Sequence, residues 1–219
     1  MSASRPSAVI FDFGGVLWNM RWDVCHELEE AHGLERGLVF TTLYRSETWR
    51  RIERGIGEPE AWLEEAHREL EARAGRPLPH LHQHWRGAQG PIAENVELVR
   101  ALRPAYRLAV LSNADRTLRR RLREGLPVHD LFEDIVCSAE VGLAKPEPEI
   151  YALACARLRL PPPACVFVDD HELNVRAAEE AGLRAVLYRV DRGDDLRAQL
   201  AAIGVTASEG ARRPRSVSE

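Results

Sequence analysis

Five short runs of this chain are apolar on both faces: AVIFD (Ala8 to Asp12), RLAVLS (Arg107 to Ser112), DIVCS (Asp134 to Ser138), CVFVD (Cys165 to Asp169) and RAVLY (Arg184 to Tyr188). A strand with one face in water alternates apolar and polar residues, so runs without alternation must be covered on both sides. Helical stretches separate the later runs. IAENVELVRAL precedes the second, and DRTLRRRLREGL follows it with Asp115 as the expected N-cap. PEPEIYALACARL lies between the third and fourth, with Pro146 suited to a first helical turn. ELNVRAAEEAG lies between the fourth and fifth, closed by Gly182. Alternation of this kind predicts an α/β fold with a doubly wound parallel sheet.

One interval breaks the rhythm. Roughly ninety residues separate the first two runs, where a crossover needs about a dozen. The interval is helical in character (WDVCHELEEAHGL, LVFTTLYRSETWRRIERG, EPEAWLEEAHRELEARAG) and shows no strand-like alternation. It reads as a helical cap inserted after the first strand. The expected division is a Rossmann-like core of residues 1–19 and 91–205, a cap of residues 20–90, and a small, polar, basic tail of residues 206–219 read as flexible.

The bulk figures narrow the function. A chain of 219 residues that is 45% hydrophobic can bury a real core. Its net charge of −4 implies no general attraction to nucleic acid. No apolar run reaches membrane-spanning length, and the polar start MSASRPS is not a signal peptide. Four scattered cysteines without a CxxC pair, two of them in apolar runs (Cys137 and Cys165), suit a reducing cytoplasm.

Ligands of an open parallel sheet bind at the carboxyl ends of its strands. Those ends carry Asp12, then Ser112 with Asn113, then Asp169 with Asp170; Lys145 follows the third run and is expected to open a helix. Three carboxylates brought together repel one another unless a cation joins them, and hard oxygen ligands with positions left for water or phosphate suit Mg²⁺. Lys145 and Ser112 would then hold an anion against that metal, the equipment of phosphoryl transfer.

The order and spacing of these groups resembles the haloacid dehalogenase-like (HAD) hydrolase superfamily over nearly the whole chain. FDFGGVL looks like its first motif, LSNAD its second, GLAKPEPEIY its third and VFVDDHELN its fourth. Any one alone is a weak signal; four in order, each after its own strand, are specific. The helical insert is similar to the family's helical-cap subclass. The resemblance implies a hydrolase acting on a small phosphorylated substrate. Asp12 would be the nucleophile that becomes an aspartyl phosphate. Asp12, the carbonyl of Gly14, and Asp170 would bind Mg²⁺, with Asp169 assisting directly or through water. Ser112 and the backbone of Asn113 would hold phosphate oxygens, Lys145 would neutralise phosphate and Asp12, and Gly15 and its neighbours would let backbone N–H groups approach the phosphate.

The motif departs at Gly14. Most phosphatases of the superfamily carry there a second aspartate that protonates the leaving oxygen. Such help is worth about 10²–10⁴-fold in rate. DFGGVL resembles a glycine-bearing phosphatase branch that includes bacterial α-D-glucose-1-phosphate phosphatases. The alternatives are a 2-haloacid dehalogenase-type hydrolase, which needs no metal but does not keep both Asp169 and Asp170, and a catalytically weak relative that binds a ligand or partner. Other features read as structural. His80, His82 and His84 look like a solvated helix face rather than a zinc site, and the basic run from Arg119 to Gly125 like an exposed helix face. The tryptophans look like cap packing, with Trp18 the best placed to touch substrate. His171 reads as a loop residue beside the acidic pair, and Asn174 as either orienting those carboxylates or facing solvent.

Overall fold

The computed structural model of the chain describes residues 5–207, so residues 208–219 of the expected tail lie outside the described residues. Strand β1 (Ala8–Phe11) leads to a two-residue strand β2 (Trp18–Asn19). Five helices follow: α1 (Trp22–Ala31), α2 (Leu38–Tyr44), α3 (Glu47–Ile52), α4 (Pro59–Ala74) and α5 (Leu81–Ala88). The chain returns through β3 (Gly90–Pro91) and then alternates α6 (Ala93–Leu102), β4 (Arg107–Ser112), α7 (Leu118–Gly125), β5 (Asp134–Cys137), α8 (Ser138–Val141), α9 (Pro148–Arg157), β6 (Cys165–Asp169), α10 (Glu172–Glu180), β7 (Arg184–Leu187) and α11 (Leu196–Ala202).

The sheet runs β5-β4-β1-β6-β7, with every neighbouring pair parallel. Successive strand residues point to opposite faces, and β1 shows what that does. Val9 and Phe11 enter one apolar layer with Val99 and Leu102 of α6, Leu118 and Leu122 of α7, and Leu200 of α11. Ala8 and Ile10 enter the other with Ile150 and Tyr151 of α9 and Ala178 of α10. All four β1 residues are fully buried, the doubly covered state that the unbroken apolar run requires. The chain builds outward from β1 to β4 and β5, then crosses to β6 and β7. The topological switch point therefore lies at the carboxyl end of β1, where Asp12 stands.

Helices α1–α5 bury their own cluster around Trp62, Trp85, Leu43 and Leu70. Both fully buried indoles find acceptors: Trp62 Nε1 donates to the Leu43 carbonyl at 2.8 Å and Trp85 Nε1 to that of Met20 at 2.6 Å. The buried carboxylate of Glu29 accepts the N–H groups of Gly37 and Val39, each at 2.8 Å, at the open start of α2. The chain leaves and re-enters the core side by side, because β2 and β3 pair antiparallel, Trp18 with Pro91 and Asn19 with Gly90. Two-residue strands are too short to show a period, so this ribbon left no mark in the sequence pattern.

Several local expectations are corrected. Pro148, not Pro146, occupies the first turn of α9, so Lys145 sits in the loop before that helix. Asp115 lies ahead of α7 and its Oδ1 accepts the Thr117 N–H at 2.7 Å, closing the entry turn rather than capping the helix. Trp18 stacks on Phe13 with ring centroids 5.3 Å apart and presses on Gly125, where an added Cβ would meet its ring at 2.8 Å. It seals the joint between ribbon and α7. In the basic run, Arg120 and Arg123 face outward and Arg119 pairs with Glu140 at 2.9 Å. Arg121 instead has its guanidinium 4.9 Å from the Phe13 ring centroid.

His82 is also not on a solvated face; it is 2% exposed, while His80 and His84 are exposed. Its Nε2 lies 2.9 Å from the Thr42 hydroxyl, which donates its own proton to the Leu38 carbonyl at 2.9 Å. The hydroxyl thus offers His82 a lone pair, and the imidazole is held neutral with Nδ1 unpartnered. Burial pushes its pKa from 6.5 down to about 4. Between those values the unfolded chain takes up a proton that the folded chain refuses. The stabilisation is therefore complete above pH 6.5 and lost as pH falls towards 4, by at most about 3 kcal/mol. Urea unfolding at pH 7 and pH 5 is expected to show this loss, and His82→Gln to flatten it.

Candidate active site

Asp12 follows β1, Ser112 and Asp169 end β4 and β6, and the loop after α8 delivers Lys145, so the groups singled out in the sequence meet at one sheet edge. The Lys145 Nζ lies 3.0 Å from Asp12 Oδ1 and 2.6 Å from Asp169 Oδ2. All three side chains are buried, Asp169 completely. Burial alone would strip the Lys145 proton, but Asp12 and Asp169 outweigh it and hold the ammonium above its ordinary pKa.

Two asparagines fix this cluster. The Asn113 side chain donates to the Lys145 carbonyl at 2.9 Å and accepts its N–H at 2.8 Å. This reciprocal clamp sets the backbone that carries the lysine. Asn174 donates from Nδ2 to both Asp169 oxygens at 3.1 Å, so it orients a carboxylate rather than facing solvent. Asp169 Oδ1 also accepts the His171 N–H at 2.7 Å. His171, the residue at the N-cap of α10, makes no side-chain cap bond.

Gly15 has φ +76°, and a Cβ there would stand 2.1 Å from Asp170 Oδ2. Its own N–H is donated to the Trp18 carbonyl at 2.8 Å. That N–H is committed to the turn, and the glycine is needed because the Asp170 carboxylate occupies the space of a side chain. One oxygen from each of Asp12, Asp169 and Asp170 lies within 4.8 Å of the others. Burial raises Asp12 to about 6, with Lys145 opposing it. Burial, then Asp12 and Asp169, raises Asp170 to about 8. Three carboxylates around one ammonium leave excess negative charge in a buried place, and the donor set is all hard oxygen, which fits a divalent cation such as Mg²⁺.

A cavity of about 320 Å³ opens above these groups. Its core wall includes Asp12, Gly14, Ser112, Asn113, Lys145 and Asp170, with Arg121 from α7. Its cap wall is aromatic, with Trp22, Phe40, Tyr44 and Trp49, and is completed by Met20, Arg45, Glu53 and Gln89. Trp18 is absent from this wall, against expectation; Trp22 and Trp49 take the place assigned to it. Sequence reasoning missed the whole cap wall, because a helix's inward face is known only once its partner is placed.

Fold and site together identify the class. Residues 6–182 match the family model of the haloacid dehalogenase-like hydrolases, and the chain belongs to that family. It is 31% identical over 182 residues to the sesquiterpene phosphatase of Aspergillus oryzae, covering 80% of this chain and 86% of that protein. It is 30% identical over 203 residues to a phosphatase of Mycobacterium tuberculosis, covering 87% and 90%. Among solved structures, a HAD family enzyme from Bacteroides thetaiotaomicron aligns with a TM-score of 0.69 at 23% identity, covering 89% of this chain and 98% of that one. A wild-type complex of the same enzyme with magnesium and inorganic phosphate aligns at 0.64 and 22% identity, covering 88% and 98%.

Gly15→Ala is expected to displace Asp170 and lower hydrolase activity about 10²-fold, with a matching loss of Mg²⁺ affinity by calorimetry. Gly142→Ala is the control. Its φ of +74° is similar but nothing lies within 4 Å, so it should cost only about 1 kcal/mol of stability and keep Mg²⁺ binding.

Proposed function

We propose that the protein is an Mg²⁺-dependent phosphatase of a small phosphorylated metabolite, working through an aspartyl phosphate on Asp12. The observation that carries this reading is the Lys145 ammonium held between Asp12 and Asp169 beneath the cavity. It keeps a carboxylate ionised, aimed and unprotonated in a nearly dry place, which is what a nucleophile needs. The named phosphatase relatives support the reaction class.

In the first transfer an Asp12 oxygen forms a bond to phosphorus while the bond to the leaving oxygen breaks. The Ser112 hydroxyl and the Asn113 backbone hold the equatorial phosphate oxygens, and Lys145 offsets their charge. In the second transfer water attacks the same phosphorus and Asp12 is released. When bound, Mg²⁺ would be held by Asp12, Asp170 and the Gly14 carbonyl, with Asp169 assisting, and it supplies charge neutralisation. The retained carboxylate set favours this reading over a metal-independent dehalogenase.

Gly14 has no side chain to move a proton, so leaving groups of low pKa are favoured. Its Cβ position meets only the Met20 Sδ at 3.3 Å, a flexible end that can give way.

Free phosphate release from a panel of phosphomonoesters tests the assignment. Asp12→Asn should abolish release, and EDTA should abolish it until Mg²⁺ is restored. Full activity in EDTA with halide freed from a 2-haloacid would instead make the protein a dehalogenase. Gly14→Asp is expected to raise turnover of alkyl phosphates relative to p-nitrophenyl phosphate, by up to about 10²-fold.

A further inference from the structure

The flank of the cavity nearest α7 carries cationic and donor groups without acceptors. Arg121 lines the cavity, and its five guanidinium N–H donors make no hydrogen bond to any described residue. Among the described residues its one ion-pair partner is the Asp115 carboxylate at 3.9 Å, whose other oxygen already accepts the Thr117 N–H. One face of the guanidinium is covered by the Phe13 ring. Burial lowers its pKa, with the Arg86 charge adding to that and Tyr44 and Asp115 opposing it. Gln89, also in the cavity wall, has a buried Nε2 without a partner. Arg86, one turn earlier at the end of α5, has an unpartnered buried Nη1. Met20 directly follows β2 and Gln89 directly precedes β3, so the two flank the paired end of the ribbon, beside Gly14.

The Arg121 side chain is 30% exposed to the cavity, so an incoming anion would replace water there with charge-assisted, bidentate hydrogen bonds. We propose that Arg121 and Gln89 form a second anion subsite in the cavity, so that the substrate is a phosphomonoester whose leaving group itself carries a carboxylate or second phosphate. The proposal rests on the phosphatase reading for the first phosphate. It adds that the aromatic cap wall spans the apolar or sugar-like middle of the substrate, while Arg121 takes its far end. Specificity then comes from a core helix as well as from the cap.

The test uses non-hydrolysable phosphonates, so that binding is read without turnover. The probes are 4-carboxybenzylphosphonate and its neutral isostere 4-carbamoylbenzylphosphonate, titrated with Mg²⁺ present against the fluorescence of Trp22 and Trp49. Wild-type protein should bind the carboxylate about 10- to 100-fold more tightly, the range of one or two charged hydrogen bonds. Arg121→Gln should bring that ratio close to one. Gln89→Glu, which adds a negative charge among the same donors and leaves Arg121 in place, should invert it. Equal affinities in the wild type, or an Arg121→Gln variant that keeps the preference, would overturn the subsite. Phosphate release from the corresponding benzyl phosphates is followed in parallel. A carboxylate preference without any phosphate release would leave the subsite standing and defeat the phosphatase reading instead.

Discussion

A buried ammonium between two buried carboxylates is the constraint on which the site depends. Lys145 without anions would lose its proton in that place, and Asp12 without a cation would keep one. Each ionisation makes the other possible, and the geometry is held from outside by Asn113 on the lysine backbone and Asn174 on Asp169. The loops after β1, β4 and β6 and the loop before α9 are thereby tied into one unit. One ammonium cannot balance three carboxylates: burial, with the charges of Asp12 and Asp169 added to it, pushes Asp170 up to about 8. A divalent cation is the simplest completion of that charge set.

The cap is joined to this unit by polar contacts rather than by a shared apolar core. Arg54 pairs with Glu147 and donates to the Gly142 carbonyl at 3.3 Å; Arg116 donates to the Gly55 carbonyl at 2.8 Å. Gly55 packs so closely on Ala139 that a Cβ would stand 2.2 Å from its carbonyl oxygen. Glu147 also accepts the Ala144 N–H at 3.1 Å, one residue from Lys145. Partly exposed ion pairs contribute at most about 1 kcal/mol each. Such contacts register the cap against the lysine loop.

The apolar runs gave the strands to within a residue at each end, because a doubly covered strand cannot be written any other way. The charged groups of the site were legible for a related reason: Asp12, Asp169 and Asp170 stand at the carboxyl ends of such strands, which the sheet collects, while Lys145 comes from the loop beyond β5 and α8. The ribbon at residues 18–19 and 90–91 was not legible, since two residues carry no period. The burial of His82 and the inward turn of Arg121 were not legible either. A basic or histidine-bearing helix reads as solvated until something apolar is laid against it, here Phe13 for Arg121 and the Thr42 turn for His82.

By itself, then, the sequence determined the class of fold, the order of the chemical groups along it and the absence of a side-chain acid at Gly14, all of which follow from local pattern and strand-end position. Tertiary structure alone decided which cap residues wall the cavity, that the Gly15 N–H is committed to Trp18 while its missing side chain makes room for Asp170, and that Arg121 looks inward. Those outcomes depend on the crossing of elements far apart in the chain, and no local period encodes the angle at which two helices or a helix and a turn will meet.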